Sequence, residues 1–199
     1  PRTSSAASDV YKRQIDNKRK NINIEKVEDF DDSESILVHN SGLVILWPFL
    51  SRLFDKLNLL DNRDFIDTDA QHKAILLTEY LVTGKTEFQE SFLLLNKIMC
   101  GAESDMFVDV NIKLEKFELE LCESLLKSVI KNWEKIQNST PTTLRETFLM
   151  REGALRKLDS DFNLTVLKKP YDLLMDSLPW SIGMIQTSFM KNRILVDWK

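Results

Sequence analysis

Two histidines, two cysteines, a pair of aspartates and two arginines are the residues whose type and spacing could do chemistry in this chain. His39 and His72 lie far apart, and neither has a second His, Cys or acidic residue at metal-ligand spacing. Both read as surface or capping residues. Cys100 and Cys122 form no C-x-x-C pair and read as reduced, packing cysteines of a cytosolic protein. Ser181 and Ser188 lack the G-x-S-x-G frame that presents a serine as a nucleophile. Gly84-Lys85-Thr86 copies the tail of a phosphate-binding loop, but Glu79 stands where that motif needs its first glycine. It reads as a helix stop. Asp172 and Asp176 share a helical face and have the spacing of paired carboxylates, although a solvated face gives the same pattern. No catalytic, cofactor-binding or metal-ligating set emerges, so the chain reads as a non-enzyme without a cofactor.

What remains is binding. Arg145 and Arg151 flank a helical span with Phe148 and Leu149 between them, and two guanidinium groups there can anchor carboxylates bidentately. Leu178-Pro179-Trp180 turns a helix into a strand, and its indole offers a large apolar face with one N–H donor. Arginine and aromatic side chains are the usual anchors of interfaces. Arg145, Arg151 and Trp180 are therefore the candidate partner-binding residues, with surface ion pairs and a core position for Trp180 as the plain alternatives.

Composition narrows the partner. The 199 residues are 43% hydrophobic and 29% charged, which belongs to soluble globular proteins. A net charge of -4 argues against a nonspecific hold on nucleic acid or an anionic membrane. The apolar run from Gly42 to Leu50 falls far short of the roughly 20 residues of a membrane span. Five glycines are too few for the phosphate cradles of nucleotide enzymes, and no small-molecule substrate is indicated.

The elements that must position these residues are mostly helical. Pro1 to Gln14 differs in texture from all that follows, and Asp9 to Gln14 (DVYKRQ) is what the end of a transposase-type sequencing adapter encodes. Residues 1–14 are thus expected to be a foreign scar, which would make the chain the C-terminal part of a longer protein. Residues 15–35 read as a charged linker, and 36–199 as the globular domain. Asn40 to Leu60 carries Leu43, Leu46, Trp47, Leu50, Leu53, Phe54 and Leu57 at helical spacing, with Pro48 as a start or a kink. Helices follow over Ala70–Val82, capped by Thr68 or Asp69, and over Phe88–Cys100. A longer one runs from Leu114 for about six turns, with Phe117, Leu121, Leu125, Val129, Trp133 and Ile136 inward. Thr143 and Glu146 make a capping-box signature for a helix to Arg151, stopped by Gly153. Beyond it, alternation at Phe162–Val166, Ile182–Met184 and Ile194–Trp198 marks strands around a short helix, Pro170 to Leu178. The predicted fold class is mainly α: a helical part (36–140), then a small α+β tail (141–199) of about three strands.

Six stretches together resemble the C-terminal region of the tape measure protein family of contractile injection systems. They are NSGLVILWPFLSRLF (Asn40 to Phe54), LLTEYLVTG (Leu76 to Gly84), LLLNKIMCG (Leu93 to Gly101), LRETFLMREG (Leu144 to Gly153), YDLLMDSLPWSIGMI (Tyr171 to Ile185) and RILVDW (Arg193 to Trp198). They span residues 36–198, with Ser51 where the family pattern suggests proline and Phe189 where it suggests tryptophan. The resemblance brings no catalytic residues. It implies a structural docking domain that binds baseplate or tube proteins in the bacterial cytoplasm and joins the particle. An assembly chaperone that does not stay in the particle is the alternative.

Overall fold

Pro48 decides where the first α-helix starts. In the computed structural model, which describes residues 35–198, Ser41–Leu46 wind as a fully buried 3-10 stretch. The helix α1 (Trp47–Lys56) begins only as proline enters its first turn, where the missing N–H costs no hydrogen bond. The expected scar at 1–14 and linker residues 15–34 lie outside the described residues. Gly42 lets the 3-10 stretch lie directly on the backbone of a later segment: a Cβ there would sit 1.8 Å from the Phe148 carbonyl oxygen.

A tight hairpin, β2 (Leu60–Asp61) and β3 (Asp64–Phe65), follows, turning through Asn62 and Arg63 at positive φ as two-residue hairpins require. The next helix, α2 (Thr68–Thr83), is capped by Asp67, which accepts the Ala70 N–H at 2.7 Å, rather than by Thr68 or Asp69. Gly84 ends it in the left-handed conformation. With Ala74, Ile75, Leu76, Leu77, Leu81 and Val82 all fully buried, α2 runs through the core. The stretch expected as one helix over Phe88–Cys100 divides into a 3-10 turn (Glu90–Phe92) and α3 (Leu94–Met99), leaving Phe92 half-exposed. Asn40 joins three of these elements. Its amide donates to Asn96 Oδ1 at 2.6 Å and Glu79 Oε2 at 3.0 Å, and Asn96 donates in turn to Thr78 Oγ1 at 3.0 Å.

The longest described helix, α4 (Lys116–Asn132), is shorter than expected. Val129, Trp133 and Ile136 are buried as expected, but in its first half the buried positions lie one residue further on, at Glu118, Cys122 and Leu126. Phe117 is exposed, and Leu121 and Leu125 are half-buried. The rotation follows from Glu118, which turns inward to accept the Glu115 N–H at 2.7 Å and the Lys73 ammonium at 2.9 Å. After it, α5 (Pro141–Leu144) is capped by Thr140 Oγ1 rather than Thr143 and widens into a π-helical turn over Arg145–Leu149.

The strands correct the predicted fold class. The chain folds as helices packed with a five-stranded mixed sheet, not as a mainly α domain with a three-stranded tail. The sheet contains β1 (Ser35–Val38), β4 (Gly153–Lys157), β5 (Phe162–Val166), β6 (Met184–Ile185) and β7 (Ile194–Asp197), in the order β1-β4-β5-β7-β6. Two of these strands lie where the sequence signals a linker end and a helix stop. β1 pairs with β4, which Gly153 opens rather than merely ending the helix before it. The first strand of the unit is thus an edge of the same sheet as the last, and the division into a helical part and an α+β tail does not hold. One face is packed: Phe162, Leu164 and Val166 are buried while Asn163 and Thr165 are half-buried. β5 and β7 are parallel, and the other pairs are antiparallel.

Both cysteines are free and buried. Burial pushes the Cys122 thiol up to about 12, with the Glu123 carboxylate adding to it, and burial raises Cys100 as well. Since the thiolate is the nucleophile, native protein at pH 8 is expected to take up no iodoacetamide at either residue, and denatured protein to take up both. Mass spectrometry reads the result. Labelling of either thiol in native protein at the rate of free cysteine would place it outside the core.

Candidate functional site

A parallel strand pair cannot be joined by a tight turn; it needs a crossover of a dozen or more residues, usually a helix. Between β5 and β7 that crossover is the segment 167–193. Its first part, the 3-10 stretch Pro170–Ser177, has no fully buried residue, and Leu173 is 79% exposed. Leu174, Met175 and Leu178 pack against the core with part of their surface left exposed, so burial holds the segment only in part.

Polar ties from the rest of the domain add to this packing. Trp133, fully buried at the end of α4, donates its indole N–H to Leu174 O at 3.1 Å and Ser177 Oγ at 2.9 Å. Trp47 donates to Ser181 O at 2.9 Å, and Trp180 donates back to Ile45 O at 2.9 Å. This cross-tie joins the first part of the crossover, residues 167–183 (the strap), to the entry of α1. Trp180 is half-buried, edge-on to Phe49 with ring centroids 5.0 Å apart.

At the other end sits Arg151, only 2% exposed. Its guanidinium forks onto Asp172, with Nη1 to Oδ1 at 2.6 Å and Nη2 to Oδ2 at 2.8 Å, and Nη2 also reaches Leu167 O at 2.5 Å. It lies 5.3 Å from the Tyr171 ring and 5.1 Å from the Trp198 ring, where a desolvated cation is attracted to the ring face. Burial pushes the Asp172 carboxyl up, but the hydrogen bonds from Arg151 and the Lys169 N–H, with the guanidinium charge, outweigh it. The carboxyl ends below the usual aspartate range.

Arg145 belongs to a different set of contacts. It is 8% exposed, donating Nε to Leu81 O at 3.1 Å and Nη2 to Glu123 at 2.5 Å, with Tyr80 beneath the guanidinium at 5.4 Å. It thus satisfies a carbonyl in the last turn of α2, at the negative end of the helix dipole. The structure places Trp180 on the strap and Arg151 against it, sets Arg145 elsewhere, and turns both guanidinium groups inward. Asp172 and Asp176 are not brought together as an acid–base pair: Asp172 is held by Arg151, and Asp176 is exposed. His39 is exposed, 4.0 Å from Glu152. His72 is buried and accepts the Asp109 N–H at 3.4 Å. Ser188 donates to Arg63 O at 3.2 Å. Sequence reasoning missed Trp133 and Trp47 as ties, and the signal available was the indole itself, which has one donor to place when buried.

The model of the family described as contractile injection system tape measure protein matches residues 2–198. The chain belongs to that family. No curated protein and no solved structure gives a match. Tape measure proteins of this family have a structural role in contractile injection systems and are not a family of enzymes, which makes the proteins of the particle their partners. Among the described residues, no helix of this family member is long and apolar enough to cross a membrane. The stretches that carry the resemblance converge on the strap. Tyr171 to Ile185 forms most of it, Asn40 to Phe54 supplies Ile45 and Trp47, and Leu144 to Gly153 supplies Arg151.

Proposed function

We propose that residues 36–199 are the C-terminal docking domain of a tape-measure-like protein, binding baseplate or tube proteins as a contractile particle assembles in the bacterial cytoplasm. The observation that carries this reading is the strap. It is fixed by bonds to its backbone and to Asp172 and by the packing of Leu174, Met175, Leu178 and Trp180 on the core, and Leu173 is left turned outward, 79% exposed. A rigid backbone with an outward apolar side chain meets a partner at small entropic cost. Arg151 and Trp180 serve docking by holding this surface in shape, while Arg145 braces the end of α2 away from it.

The test is Leu173→Asp in the full protein. The variant is expected to keep its melting temperature, because the side chain is solvated, and to lower particle yield several-fold. Normal particles of normal length would remove the strap from the docking surface. A second reading, an assembly chaperone, draws on helix length. The longest described helix has 17 residues, about 25 Å at 1.5 Å per residue, so this unit does not itself span a tube. Presence of the chain in purified particles favours the docking domain, and its loss on purification favours the chaperone.

A further inference from the structure

Away from the strap, a groove of about 820 Å³ opens between the hairpin end of α2, the loop after α3 and the loop before β7. It is an open groove, and its size lies in the range of binding clefts. Apolar groups make the floor: Phe189 and Met190 are buried beneath it, and Phe65 and Met106 are half-buried on its walls. The floor is stiff. Phe54, Phe65 and Phe189 pack ring on ring with centroids 5.2 to 5.6 Å apart. The two loops touch so closely at Gly101 that a Cβ there would lie 1.8 Å from the Phe189 carbonyl oxygen.

The rim has one sign of charge. Asp64, Asp67, Glu103 and Asp105 line the groove and are exposed, against a single cation, Lys191. Lys191 holds Glu103 at 2.7 Å in a pair that is more than half exposed on both sides, a bond that an incoming cation can exchange for its own. Asp67 is occupied in capping α2. Among the described residues no cation pairs with Asp64 or Asp105. An apolar floor between free carboxylates repels nucleic acid and acidic peptides and suits a chain that alternates apolar and cationic side chains.

We infer that this groove is a second docking site, which takes a basic peptide segment of a partner protein, seating an apolar side chain between Phe65 and Met106 above the buried Phe189 and Met190, and lysine or arginine on the acidic rim. It goes beyond the strap surface and rests on the docking reading only for where the partner is found.

Fluorescence anisotropy of the purified chain tests it, with a short fluorescein-labelled peptide of alternating lysine and leucine as probe. The controls are a glutamate–leucine peptide of equal length and a labelled single-stranded oligonucleotide. The lysine peptide is expected to bind and the two controls not to. The double variant Asp64→Asn/Asp105→Asn should weaken binding roughly fivefold, since each exposed pair contributes modestly. Glu87→Gln/Glu134→Gln, which removes the same charge elsewhere on the surface, should change it by less than about twofold. Equal loss in both doubles would reduce the effect to bulk charge and overturn the site. Equal binding of the two peptides, preference for the oligonucleotide, or no binding of the lysine peptide would overturn it too. Particle assembly does not enter the measurement, so a failed strap and a failed groove are read separately.

Discussion

Replacing Trp133 by alanine is expected to cost about 3 to 5 kcal/mol of stability, the range for deleting a fully buried large aromatic. Its ring lies against Phe148 with centroids 4.7 Å apart. The same change also removes the donor that ties Leu174 and Ser177, so two effects combine. Trp133→Phe separates them, because it keeps most of the apolar volume and loses the N–H. Urea denaturation of both variants, with proteolysis of the native state to report on the strap, gives the partition. The phenylalanine variant is expected to lose less stability but to be cut in the 167–183 segment faster than wild type. A loss under about 1 kcal/mol for the alanine variant would mean that the end of α4 is peripheral to the core.

Arg151→Met is destabilising for a different reason. Removing one member of a fully buried ion pair costs about 3 to 5 kcal/mol, whereas replacing both by apolar residues is often neutral. Asp172 is only partly buried, so a loss at or below the lower end of that range is expected here. Arg151→Met/Asp172→Leu should therefore recover part of what the single variant loses. The pH dependence gives the sign. In wild type the Asp172 carboxyl lies below its ordinary value near 3.8, so its contribution is fully present above about pH 4 and is lost as pH falls through the depressed value. In the single variant burial acts without the guanidinium and raises the carboxyl, so stability rises as pH falls towards 4. The gap between the two proteins is expected to narrow on acidification from pH 7. A gap that stays constant down to pH 3 would show that Asp172 is not the group Arg151 serves.

The helices were largely legible from the sequence because their signals are local. Pro48 and Gly84 set a start and a stop by backbone geometry alone. The inward face was misplaced only in the first half of α4, because Phe117 and the leucines dominate a hydrophobicity count there, while the side chain that orients the helix is Glu118, through a cap and a distant lysine. The sheet was only half legible. Phe162 to Val166 alternates and announces itself. Gly153 to Lys157, with alanine, arginine and lysine, has little strand propensity and is extended because β1 and β5 flank it on both sides. β1 depends on a partner more than a hundred residues away, which no local pattern encodes. At the site, arginine and tryptophan were the right residue types, but a spacing rule cannot tell whether a guanidinium faces a partner or an aspartate of its own fold. Arg151 finds Asp172 only once the crossover has folded back.

The strand directions have a mechanical consequence. β1 is antiparallel to β4, β4 to β5, and β5 runs parallel to β7, so β1 and β7 point the same way along one sheet. Opposed pulls on Ser35 and Trp198 therefore act along the strands and across three intervening ladders, whose hydrogen bonds lie roughly crosswise to the load. Such a load shears all the bonds of a ladder together instead of peeling them one at a time. Tension carried through the ends of this unit meets the sheet in its strongest direction, while the strap, anchored from the side, lies outside the line of force.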